Sequence, residues 1–155
     1  MEERQRFKII FKRKKIYINM VPITSLSKLC QQLQRTSEPF HLLNMYKGED
    51  WQKLVSPYNT TLWKNDYLDL RLTSWKTGQP KIYRNNYSTI HTKVLDGKFL
   101  AKMKLKNENL HEDQLEFIQY LHKDDYYTFH PFSTVFFNPL EHSVALQLHY
   151  YHHLY

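Results

Sequence analysis

Nine histidines, one cysteine and a run of four cations are the groups in this 155-residue chain best suited to hold a ligand or a metal. His149, His152 and His153 cluster near the end of the sequence, with His130 and His142 upstream. Zinc needs three or four donors converging in fixed geometry, each oriented by a further partner. A terminal cluster reads instead as a polar tail, or as the outward run of a last strand, so no metal ligand and no cofactor is expected. Cys30 falls on an apolar helical face with Leu29 and Leu33 and suits a small buried hydrophobe. A single cysteine excludes an internal disulfide. Lys12, Arg13, Lys14 and Lys15 could gather phosphates by releasing counterions. Phe11 and Tyr17 flank the run, but it lacks the interleaved aromatics of a single-strand platform and reads first as a solvated hairpin loop. Gly48, Gly78 and Gly97 are isolated, so no glycine-rich phosphate cradle can form. The stretch Phe99 to Leu121 has the outline of a magnesium nuclease edge, yet Lys102 stands in the glutamate place and would repel the metal. No catalytic residue is expected, and the chain reads as no enzyme.

The composition bounds the rest. Apolar residues make up 41% and charged residues 24%, enough for a packed core. No stretch approaches the roughly 20 apolar residues that span a bilayer. The opening MEERQRF has no apolar run behind it, so a cytoplasmic protein without a membrane partner is expected. The net charge of +7 lies entirely in residues 1–80, which hold 14 Lys/Arg against 7 Asp/Glu, while residues 81–155 hold 8 of each. Such an asymmetry suggests two units with different partners.

The apolar periods supply elements for those units. Phe7, Ile9 and Phe11 alternate, a basic turn follows, and Ile16, Ile18 and Met20 alternate again, which predicts a hairpin. Pro22 stops it, and Thr24 or Ser25 can cap a helix with Leu26, Leu29, Cys30 and Leu33 on one face. Phe40 to Tyr46 and Tyr67 to Leu72 read as strands. In the second half Ser88 to Leu95 alternates, and Asp96-Gly97 is a hairpin turn signal. Phe99, Ala101, Met103 and Leu105 give a partner strand, followed by a helix over 109–122. Tyr127 to Phe132, Val135 to Phe137 and the alternation Val144, Leu146, Leu148 complete the order, with Asn138-Pro139 as a turn. The reading is α+β: two tandem β-grasp units, each a mixed sheet with one covering helix. The first covers 1–73, a linker covers 74–86, and a second, divergent unit with a His/Tyr-rich tail covers 87–155.

Ser56-Pro57-Tyr58-Asn59, followed by Leu68-Asp69-Leu70-Arg71-Leu72, resembles the end of ubiquitin. Met20-Val21-Pro22 with Leu26, Leu29 and Leu33 is similar to ubiquitin's path from second strand to helix, and Gly48 to the glycine after its third strand. Two such units resemble the interferon-stimulated tandem modifier and its bacterial counterparts in antiphage operons. The resemblance implies a modifier or noncovalent adaptor in a defence conjugation system. Its partners would be other proteins, including activating, conjugating or deconjugating enzymes. The chain has no glycine after Gly97, so conjugation through a diglycine end is not expected. The family's usual docking face would be built here by Met45, Tyr67, Asp69 and Arg71, and a dedicated partner would present a basic or hydrogen-bonding group to Asp69. A small basic nucleic-acid-binding protein, working through Lys12 to Lys15, is the alternative.

Overall fold

The computed structural model describes residues 6–11, 14–19, 21–54, 59–85, 88–105, 115–131 and 133–151, with side chains from residue 21 onward apart from 85, 105 and 115. The chain divides into two compact units, Met1–Glu49 and Asp50–Tyr155, whereas the sequence suggested divisions at 73 and 86.

In the first unit, β1 (Arg6–Phe11) and β2 (Lys14–Asn19) pair antiparallel as the alternation predicts. Ser25 caps α1 (Leu26–Leu33), its Oγ accepting the Lys28 N–H at 3.0 Å and so satisfying one of the helix's orphan donors. Leu26, Leu29 and Leu33 are buried along one face of α1. The strand expected over Phe40 to Tyr46 is a helix, α2 (Pro39–Met45). Proline at its first position has φ already set for a helix and no donor to leave unpaired. Extended pairing survives only just beyond it, where Tyr46 bridges Ile23 in parallel. There the Ile23 N–H donates to the Met45 carbonyl at 2.9 Å, and the Lys47 N–H to the Ile23 carbonyl at 2.8 Å.

The second unit is nearly all strand. After a 3₁₀ turn at Asp50–Lys53 come β3 (Thr60–Lys64), β4 (Leu68–Trp75), β5 (Lys81–Asn85), β6 (Ser88–Asp96), β7 (Phe99–Leu105), β8 (Leu115–Leu121), β9 (Tyr126–Phe129), β10 (Ser133–Pro139) and β11 (Ser143–Tyr151). They form two antiparallel sheets, ordered β3-β4-β11-β6-β9 and β5-β10-β7-β8. The two β-grasp units expected from the sequence are therefore not what forms. β4 pairs along its length with β11, Leu70 opposite Leu148 and Leu72 opposite Leu146, so one sheet joins segments assigned to separate units. The two alternations match in period and register, and alternation fixes the face of a strand without naming its partner. The supposed linker holds the end of β4 and all of β5.

The second covering helix is also absent from Leu115–Leu121, which is β8 and pairs with β7 from Leu105–Leu115 to Phe99–Leu121. Residues 106–114 of that expected helix lie outside the described residues. Phe117, Ile118 and Leu121 fit a helical stripe, but the run Phe-Ile-Gln-Tyr is aromatic and β-branched, and the open edge of β7 takes it as a strand. Asp96-Gly97 does turn, yet it closes no hairpin: β6 ends in one sheet and β7 begins in the other. Gly97 has φ +93°, and a Cβ there would stand 2.1 Å from Ser143 Oγ. That hydroxyl accepts the Lys98 N–H at 3.1 Å and so fastens the corner. Gly97→Ala should therefore lower stability by about 1–3 kcal/mol, the cost of a residue held in a strained backbone region. Urea denaturation measures this, and an unchanged midpoint would show that the corner can relax.

The core between the sheets is aromatic-rich. Trp75, Ile90, Val94, Tyr127, Phe129 and Ala145 from the β4-β11-β6 sheet meet Phe99, Ala101, Met103, Leu121, Val135 and Phe137 from the other. No described helix is long and apolar enough to cross a membrane.

Candidate functional site

Strand period places polar groups inside this sandwich. Along β4, Trp75, Thr73, Arg71 and Asp69 share the face that carries the core, while Leu72, Leu70 and Leu68 take the other. In register, Thr73 stands opposite Ala145 of β11, Arg71 opposite Gln147, and Asp69 opposite His149. Gln147 in turn stands opposite Thr92 of β6. The interior is thus apolar around Trp75, Val94 and Ala145 and becomes polar toward Asp69 and His149. On the second sheet, β5 contributes Tyr83 and Lys81, whose ammonium lies 5.0 Å from the Tyr83 ring centroid.

The polar groups form two connected sets. Arg71 donates to Asp69 Oδ2 twice, from Nε at 3.0 Å and from Nη2 at 2.6 Å, and the Tyr151 hydroxyl reaches the same oxygen at 3.5 Å. Asp69 is 1% exposed, and the Arg71 side chain is 34% exposed. Deeper in, Gln147 Oε1 accepts long contacts of 3.5 Å from the Thr73 and Tyr83 hydroxyls, and Gln147 Nε2 donates to Thr92 Oγ1 at 3.2 Å. Burial pushes the Tyr83 hydroxyl up to about 12, against the opposing effect of its contact with Gln147. Arg71 is raised, chiefly by its hydrogen bond to Asp69. Lys81 is lowered, by burial first and by the Arg71 charge second.

His149 is lowered to about 4, by burial first, then by Arg71 and Lys81, with Asp69 opposing. His91, on the opposite face of the same sheet, is also lowered to about 4, by burial and then by His130. Its Nδ1 lies 3.1 Å from Thr128 Oγ1 and 2.5 Å from the Tyr126 hydroxyl. Both rings are therefore neutral in the folded protein where an unfolded histidine, near pKa 6.5, already takes a proton. Above that value the two states bind equal protons and stability is unaffected. As pH falls from about 6.5 to about 4 the unfolded state gains protons the folded state refuses, so stability drops. Urea midpoints measured at pH 7, 5.5 and 4.5 should decline steadily, and less steeply in His149→Gln. A flat profile would mean that both rings protonate freely.

Of the residues singled out from sequence, Asp69 and Arg71 meet, though in the sandwich interior and not on an open sheet face. Asp69 is met by Arg71, two residues along its own strand. Tyr67 is exposed ahead of β4, its N–H donating to Asn65 Oδ1 at 2.8 Å while its carbonyl accepts the Tyr151 N–H at 2.9 Å. Met45 ends α2 in the other unit. Lys14 and Lys15 open β2, and Lys12 and Arg13 lie outside the described residues. The sequence reading missed Gln147, Tyr151, Lys81 and Tyr83, and treated His149 as part of a tail. Polar residues alternating with Leu146 and Leu148 look like a solvent face, and only the second sheet makes that face interior.

Asp69 and His149 are cross-strand neighbours, as two metal ligands would need to be. A third donor is lacking: among the described residues no three of His, Cys, Asp and Glu converge. Arg71 also sets a positive charge against Asp69, where it would repel a cation. The donor set does not fit a metal.

No protein-family model matches the sequence, and no curated protein matches it. Solved structures do. A cupin superfamily protein from Desulfitobacterium hafniense aligns with a TM-score of 0.50 and 12% identity, over 68% of this chain and 92% of its own. The cupin domain of Cnp3 from Schizosaccharomyces pombe gives 0.51 at 10% identity, over 61% and 64%. A cupin 2 conserved barrel domain protein from Leptotrichia buccalis gives 0.54 at 5% identity, over 66% of this chain and 47% of that one, so this chain spans about half its length. These likenesses show a cupin-type β-sandwich fold. They overturn the ubiquitin-like resemblance read from Ser56 to Leu72 and the tandem modifier or adaptor function drawn from it.

Proposed function

We propose that the polar end of the sandwich binds a small anionic molecule, and that the protein works as a ligand-binding module. The observation that carries this reading is a charge imbalance. The Arg71 charge acts on Lys81, and the carboxylate beside Arg71, Asp69, is already engaged by it. His149 stays neutral beside them and adds no counter-charge. A cation short of a counterion is relieved by an anion. Arg71 commits two of its five N–H groups to Asp69, which leaves a planar fork suited to a carboxylate or an oxyanion of sulfur or phosphorus. The mouths of β-barrels are also common places for small-molecule sites.

Calorimetric titration with succinate, with sulfate and with the cation choline tests the reading. Both anions should bind saturably and choline should not. Lys81 is exposed on an edge strand, so Lys81→Ala should keep the fold while weakening anion binding about tenfold, the worth of one hydrogen bond to a charged group. Absence of anion binding, or equal affinity in Lys81→Ala, would overturn it.

A further inference from the structure

Both donors that reach Asp69, the Arg71 guanidinium and the Tyr151 hydroxyl, go to Oδ2. Oδ1 is buried and has no hydrogen-bond partner. A carboxylate oxygen only accepts, so what it lacks is a donor, and a buried acceptor left without one is costly. Resting on the anion-binding reading above, we infer that the ligand is a hydroxy acid: its carboxylate lies on Arg71 and Lys81, and its hydroxyl donates to Asp69 Oδ1. An ammonium group could also donate, but Arg71 and Lys81 already make this end cationic, and Lys64 stands opposite Asp69 on β3. A second positive charge would be repelled where a neutral hydroxyl is not. Arg71 and Asp69 are two residues apart on one strand and already in contact, so the free guanidinium edge and Oδ1 are close neighbours. That closeness requires the hydroxyl to sit one or two carbons from the acid. The Gln147, Thr73, Tyr83 and Thr92 set is already joined internally and needs nothing from the ligand.

Matched pairs of acids, titrated calorimetrically into the full chain, test this: glycolate against acetate, and each enantiomer of malate against succinate. In the wild-type protein the hydroxylated member of each pair should bind about tenfold more tightly, for one added hydrogen bond to a charged acceptor. Methoxyacetate keeps the ligand oxygen but has no hydrogen to donate, so it should bind no more tightly than acetate. Equal affinity within the pairs in the wild-type protein would overturn the hydroxy-acid inference and leave anion binding standing. Failure of all the acids to bind would overturn both. Methoxyacetate binding as tightly as glycolate would mean that the hydroxyl does not donate to Asp69.

Discussion

Replacing Phe137 with alanine is expected to lower the unfolding free energy of the sandwich by about 3–5 kcal/mol. Phe137 lies on β10, in the middle of the second sheet, and is 0% exposed. Its ring centroid is 4.2 Å from that of Phe99, 5.5 Å from Trp75 and 5.6 Å from Phe129. Phe99 belongs to its own sheet, and Trp75 and Phe129 to the facing one, so this single ring joins the two layers. Truncation loses its burial and leaves a space lined by rigid aromatics, which collapse poorly onto it. Against a typical total stability of 5–15 kcal/mol, the loss would leave a marginal fold. Chemical denaturation followed by tryptophan fluorescence reads it through Trp75. A change under about 1 kcal/mol would mean that the sheets do not pack through this ring.

Arg71→Met is expected to cost about 2–4 kcal/mol, because it leaves the Asp69 carboxylate buried with only the 3.5 Å contact from Tyr151. The loss stays below the full cost of breaking a buried pair because the Arg71 side chain is a third exposed. The double variant Asp69→Leu, Arg71→Met should recover much of that loss, since an apolar pair of similar volume replaces both ions at once. Equal stability of wild type and Arg71→Met would place Asp69 in water and remove the basis of the site.

The sequence was most informative where local chemistry decides structure. Ser25 before an apolar 3–4 period gave α1, Gly97 gave a turn, and Leu68, Leu70 and Leu72 gave a strand. It misled wherever the partner was distant. The alternation of Leu146 and Leu148 is equally compatible with the edge of a small mixed sheet and with the centre of a five-stranded one; the pairing with β4, some 75 residues earlier, decides between them. Leu115 to Leu121 fits a helix until β7 offers it a ladder. The short likeness to ubiquitin around Leu68 to Leu72 is the pattern of any half-buried strand with charges on its other face. Asp69 and Arg71 stood out as chemistry in the sequence, yet alternation alone assigned them to solvent. Their interior position depends on a second sheet that no local signal announces.

The pKa of His149 tests the central claim most directly. Part of its depression comes from Arg71 and Lys81, so an anion bound against them should let the ring accept a proton more readily. The ring protons of His149 and His91 can be titrated by NMR in sulfate, which keeps its charge across this range, and in chloride at equal ionic strength. Sulfate should raise the His149 pKa from about 4 by about one unit or more and leave His91, on the opposite face of the sheet, where it is. If neither ring responds, or both move together, the polar end of the sandwich is not an anion site.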